Sequence, residues 1–279
     1  MGGVGLYMLM GSVVCIGSVI SNWVAMILLM ELVMFLFLFL VYNFNLVSYS
    51  SPAVKYFCAQ TIGSVMLMLG AFMLYFMNIV DNSYYHLVML SGLFMKLGVF
   101  PFHFWVVPVT VELPYMTIAV FSIVLKILPL VLLSAYMKMI SSPSFLYIIL
   151  MCGMLSMVWG TLVGIPSNNI RMAVGASSIT HAGWFIYSAI SDNIVVYFFL
   201  YSLAVAFTLW NLTFQQWFLV SFGMLMMGGL PPFSVFFGKV VVLLSAVGTI
   251  PLFFLVPALL TSVFSLFYYL KYSFVFYLL

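Results

Sequence analysis

A chain of 279 residues that is 67% hydrophobic, 19% aromatic and only 4% charged, with a mean hydropathy of +1.34, lies far outside the range of soluble globular domains. Seven Lys plus Arg against four Asp plus Glu leave a net charge of +3 with no block of like charges, which excludes nucleic acid as a main partner. A helix needs about 20 apolar residues to cross a bilayer, so this length predicts about ten or eleven crossings and leaves little for loops or a soluble domain.

Breaks at polar or proline-containing gaps place apolar spans at residues 4–20, 23–42, 56–80, 86–107 and 115–137. Five more follow at 144–163, 172–190, 194–213, 217–248 and 251–272. The first run lacks a basic leader and a cleavage pattern, so it reads as a span rather than a signal. The connections are short: Ser21-Asn22, Asn43 to Lys55, Asp81 to Tyr85, Ser141 to Pro143, Pro166 to Asn169 and Ser191 to Asn193. The expected architecture is all-α, a single polytopic membrane domain over residues 1–279, a helical bundle with two discontinuous helices. Continuous Leu/Met/Phe-rich runs lack the alternation of a β-barrel wall. Counting sides by alternation puts Lys55, Glu112, Arg171 and Lys271 with the N-terminus and Asp81, Lys138 and Asp192 opposite, so the positive-inside rule places the N-terminus on the matrix or cytoplasmic side. Cys15, Cys58 and Cys152 are isolated and form neither a disulfide framework nor a metal site.

Four ionisable residues fall deep within spans: Glu31, Lys96, Lys126 and Lys239. Each costs about 2.5 to 3.5 kcal/mol at a helix centre on insertion scales, which marks an intramembrane charge as a functional candidate. Buried salt bridges that fix packing are the bland alternative, but one Glu cannot neutralise three Lys. All three lysines lie near prolines. Pro101 removes the bond to the Leu97 carbonyl, Pro129 frees that of Leu125, and Pro231 with Pro232 free those of Met227 and Gly228. Unpaired carbonyls at membrane depth need water, a side chain or another helix. Helix interruptions are expected at Gly98 to Pro101 and at Gly228-Gly229-Leu230-Pro231-Pro232, with only a kink at Pro129. Broken helices beside ionisable residues are how ion-coupled carriers build sites near the midplane. Lysine suits proton work, since its charge responds to burial and to neighbours. His103 and His181 are candidate additions to such a relay, each weighed against an ordinary structural histidine. Glu31, a buried carboxylate, is expected to have a cationic partner.

The run Lys96-Leu97-Gly98-Val99-Phe100-Pro101-Phe102-His103-Phe104-Trp105 resembles the K-L-G-x-x-P-F-H-F-W signature of the NADH-ubiquinone oxidoreductase chain 2 family. Arg171 with Ser177-Ser178-Ile179-Thr180-His181-Ala182-Gly183-Trp184 is similar to that family's R-K-x-x-A-Y-S-S-I-x-H-x-G-W segment. Gly228 to Phe233 with Lys239 downstream resembles its G-G-L-P-P segment, and Glu31 its membrane glutamate. Val106 to Val109 stand where the family reads V-P-E-V, which leaves Glu112 as the nearest stand-in for the missing glutamate. The resemblance implies a shortened form of a complex I membrane-arm subunit in the mitochondrial inner membrane, a translocase component without a redox centre. It also implies no cofactor on this chain, with FMN, iron-sulfur clusters and ubiquinone elsewhere in the complex. The implied partners are the other membrane-arm subunits and inner-membrane phospholipids. Glu31, Lys96, Lys126 and Lys239 carry over as the proton-translocating axis of an antiporter-like bundle, and Lys96 as the partner of Glu31, so those two are expected within interaction range of one another. Two rivals stand beside this reading. One is a free-standing ion-coupled secondary transporter, which the lysines and broken helices alone equally allow. The other is a haem-binding electron carrier, disfavoured because His86, His103 and His181 are scattered.

Overall fold

The computed structural model describes residues 2–42, 50–76, 83–140 and 142–278. The expected connections at 43–49, at Asp81 and at Ser141, and the end of the third expected span at 77–80, lie outside them. The described residues form thirteen helical segments and no strand. In chain order these are α1 (Gly2–Val19), α2 (Trp23–Tyr42), α3 (Ser50–Phe76), α4 (Ser83–Leu97), α5 (Val106–Glu112), α6 (Tyr115–Ser122) and α7 (Val124–Met137). They continue as α8 (Pro143–Gly164), α9 (Ile170–Ile190), α10 (Ile194–Thr213), α11 (Trp217–Gly228), α12 (Ser234–Ala246) and α13 (Leu252–Leu278). Six stretches are long and apolar enough by themselves to cross a membrane, the Tyr115–Met137 stretch among them, and shorter apolar helices accompany them.

The helix ends follow from local chemistry. Gly98 stops α4 in the left-handed region at φ 72°, and irregular turns run to Trp105 before α5 begins. Leu113 is extended before Pro114, as a residue preceding proline must be, so α5 closes there and α6 starts anew. Pro143 opens α8, where its missing N–H has no partner to lose. Gly229 caps α11 at φ 75°, and the chain turns through Pro231-Pro232 before α12.

Both expected interruptions are therefore present, and α7 runs through Pro129 unbroken. A third interruption was not anticipated. It lies at Ile123, whose φ of −110° and ψ of −68° separate α6 from α7 three residues before Lys126. No glycine or proline occupies that point. The Lys126 N–H turns back to the Ile123 carbonyl, a tighter bond than the regular helical one.

α9 is the central post. Every side chain from Ala173 to Ala189 is buried, as expected of a helix packed on all sides. α5, α7, α8, α10, α12 and α13 all contact it. Small residues permit the close approach of α8. A Cβ on Gly183 would stand 2.5 Å from the Gly153 carbonyl oxygen, so nothing larger than hydrogen fits. Large apolar side chains such as Leu28, Phe39, Leu162 and Phe267 cover the outside. At one end of the bundle Lys55 and Ser51 both bond Glu112, Arg171 reaches the Val111 carbonyl at 3.5 Å, and Lys271 reaches the Ser167 carbonyl at 2.9 Å. Glu112, the nearest stand-in for the missing glutamate, is thus engaged at the bundle's end by Lys55.

Candidate functional site

The four intramembrane charges belong to α2, α4, α7 and α12, and all three lysines are buried. Lys96, on the last turn of α4, donates to Glu31 Oε1 across to α2 at 2.7 Å. Its side chain is 3% exposed and that of Glu31 is 22% exposed, so the cation is the deeper partner. The pair falls well inside the expected range.

Between Lys96 and Lys126 lies a small cavity with about 20 Å³ open to the centre of a water molecule. About 10 to 15 Å³ by that measure is enough for one water, provided polar partners surround it. The partners are present. Tyr56, Gln60, Trp105 and Ser178 line the cavity together with both lysines. Trp105 Nε1 is buried without a protein partner, which is the signature of a group that water completes. A second cavity of similar size shares Tyr56, Gln60, Lys96 and Leu125 and extends past Pro129 toward α2. Leu125, whose carbonyl Pro129 deprives of its helical donor, lines both.

Beyond the cavity, α9 carries the row. Lys126 Nζ donates to the Ser178 hydroxyl at 2.9 Å and to its carbonyl at 3.3 Å, and it sits over the Phe185 and Tyr201 rings at 5.5 and 5.6 Å. Lys239 Nζ lies 5.8 Å from the Trp184 ring and donates to the Gly228 carbonyl at 3.2 Å, one of the two acceptors that Pro231-Pro232 set free. Ser178, His181 and Trp184 are spaced three residues apart on α9, so they share one face and span about 9 Å at 1.5 Å per residue. That face carries Lys126 at one end and Lys239 at the other, with His181 between them and close enough to feel both charges. Tyr197 Oη lies 2.8 Å from His181 Nδ1 and Tyr269 Oη lies 3.5 Å from His181 Nε2.

His103 is placed differently. It packs against Phe100, Phe104 and Trp159 at ring separations of 5.6, 4.3 and 5.2 Å, with no well-formed hydrogen bond to either ring nitrogen, and it lines neither cavity. Of the expected helix-break residues, Gly98 and Gly229 take the left-handed conformation, Pro101 and Pro232 follow cis peptide bonds, and Gly228 and Pro231 flank the α11 cap. A Cβ on Gly229 would stand 3.1 Å from Lys239 Nζ, so the glycine leaves room for the ammonium. Ser178, Tyr56, Gln60, Tyr197 and Tyr269 were not singled out from sequence. Only Ser178 had a signal there, its three-residue spacing from His181.

These residues can hold charge and water at membrane depth and pass a proton between neighbouring basic groups. The membrane family described as NADH:quinone oxidoreductase/Mrp antiporter matches residues 21–217. The NADH-ubiquinone oxidoreductase chain 2 of Albinaria caerulea is 33% identical over 97% of this chain and 89% of its own length. This chain belongs to the NADH-ubiquinone oxidoreductase chain 2 family. Among solved structures it resembles a chain of respiratory complex I from Thermus thermophilus, with a TM-score of 0.79, 22% identity, and coverage of 92% of this chain and 66% of that one. It also resembles a chain of the Mrp complex from Dietzia, with a TM-score of 0.78, 15% identity, and coverage of 95% of this chain and 59% of that one. At these identities the structural likenesses establish an antiporter-like membrane fold and nothing finer. The family assignment rests on sequence.

Proposed function

We propose that this chain is a proton-translocating membrane subunit of respiratory NADH:ubiquinone oxidoreductase, set in the mitochondrial inner membrane with its N-terminus on the matrix side. Electron transfer through FMN, iron-sulfur clusters and ubiquinone falls to other subunits, and the neighbours here are membrane-arm subunits and phospholipid. In this reading α4 with α5, α6 with α7, and α11 with α12 each make one crossing, so the thirteen segments give ten. Kinship to chain 2 relatives favours this role over that of a free-standing secondary transporter.

The observation that carries the proposal is the row of buried basic groups Lys96, Lys126, His181 and Lys239, with Glu31 paired to its first member. At rest Glu31 neutralises Lys96. An electrostatic change that weakens this pair releases a Lys96 proton into the cavity water, from which it reaches Lys126. Ser178 and the ring faces of Phe185 and Tyr201 stabilise the Lys126 ammonium. The proton then passes by way of His181 to the neutral amine of Lys239, whose ammonium donates to the Gly228 carbonyl. Lys126→Met or Lys239→Met tests this, because methionine keeps an unbranched stem but carries neither a proton nor an attraction for water. Proton pumping and coupled NADH oxidation should fall at least tenfold, while artificial-acceptor reduction at the flavin stays near normal. Normal pumping stoichiometry in an intact complex refutes the relay role of the lysine tested. Loss of the whole complex assigns that lysine to packing instead.

A further inference from the structure

His181 is bracketed by two phenol groups, and the two contacts are unequal. Tyr197 Oη on α10 lies 2.8 Å from Nδ1, a full hydrogen bond, whereas Tyr269 Oη on α13 lies 3.5 Å from Nε2, at the limit of one. Tyr197 is also the more firmly held. It is 1% exposed, its ring packs against Phe185 at 5.5 Å and Trp184 at 6.1 Å, and a Cβ on Gly238 would stand 3.0 Å from it. Gly238 precedes Lys239, so the same ring braces the helix that carries the last lysine of the row. Tyr269 instead packs its ring against Tyr268 at 4.3 Å, and the one hydrogen bond of its hydroxyl among the described residues is the long contact to His181.

We infer that Tyr197 is the positioning residue of His181: it holds Nδ1 and thereby leaves Nε2 as the ring atom that exchanges protons. The inference rests on the proton-relay reading above. In the tautomer this requires, neutral His181 donates its Nδ1–H to Tyr197 Oη, and its Nε2 lone pair meets the long Tyr269 contact. Nε2 takes a proton from the Lys126 ammonium through intervening hydroxyls or water, which leaves a neutral amine on Lys126 and an imidazolium at His181. The same Nε2 proton then passes to the neutral amine of Lys239, and His181 returns to its starting tautomer. No ring flip is needed, because Nδ1 never gives up its proton. The general rule that a histidine's reactive nitrogen is set by the bond its other nitrogen makes supplies the chemistry. Groups facing the ring are Tyr197 and Tyr201 from α10, the Met227 carbonyl from α11, Tyr269 from α13, Lys126 from α7 and Lys239 from α12.

The test is Tyr197→Phe in the assembled complex, read beside His181→Gln. Phenylalanine retains the ring that packs on Gly238 and removes only the hydroxyl. Proton pumping per assembled complex should fall about five- to tenfold, the worth of one such bond. The alkaline limb of its pH profile should move about one unit toward acid, since the hydroxyl accepts a stronger bond from the charged imidazolium than from the neutral ring. Tyr269→Phe should change both less. A purely packing role for Tyr197 would lower the amount of complex and leave the profile of the remainder in place, which overturns the inference. Unchanged pumping and profile in Tyr197→Phe with His181→Gln inactive overturns it too, whereas normal pumping in His181→Gln removes His181 from the relay and fells both readings together.

Discussion

Glu31→Gln and Lys96→Met remove opposite ends of one 2.7 Å ion pair, and the two separate losses of stability should sum to more than the pair's joint removal costs. Either single variant leaves a charge at membrane depth without its countercharge, at a cost of about 2.5 to 3.5 kcal/mol. The double variant leaves no unpaired charge and should be milder than the sum by about 1 to 2 kcal/mol. Half-lives of the solubilised complex at a fixed elevated temperature give the coupling, with each 1.4 kcal/mol of barrier read as about tenfold in rate. Strict additivity would show that the pair does not carry the energetic coupling its geometry implies.

Ser178→Ala should leave the helix intact while depriving Lys126 of its 2.9 Å side-chain acceptor, so pumping is expected to drop about three- to tenfold with little change in the amount of assembled complex; an unchanged rate would show that the carbonyl bond alone suffices. Gly183→Ala should do the reverse, since a methyl 2.5 Å from the Gly153 carbonyl must force α8 and α9 apart at a cost of about 2 kcal/mol, visible as less complex on a native gel with normal pumping per complex, and an undiminished yield would contradict the close packing.

Several features needed no fold to be read. Membrane residence and the all-helical class follow from composition, because a bilayer admits few structures that satisfy every backbone group. The interruptions near Gly98 and Gly229 follow from residues that supply positive φ or remove an N–H, which are properties of one or two positions and survive any packing. The lysines stand out because charge is costly at depth whatever surrounds it. What surrounds it is another matter. The break at Ile123 has no glycine or proline; beside it the Ser122 hydroxyl bonds the Ile118 and Ala119 carbonyls, and α6 and α7 pack against different neighbours, α6 on α10 and α7 on α1 and α2. Tyr56 and Gln60, on α3, reach the Lys96 cavity from far along the chain, and Tyr197 and Tyr269 approach His181 from helices on either side of α11. Their residue types are ordinary in membrane helices, so nothing local distinguishes them from other tyrosines and polar side chains. Which lysine has a carboxylate was decided where α4 meets α2, which faces a serine where α7 packs on α9, and which takes a freed carbonyl where α12 folds back on α11. Sequence could count the charges at depth, but a charge's partner is a distance, and only the packed bundle has distances.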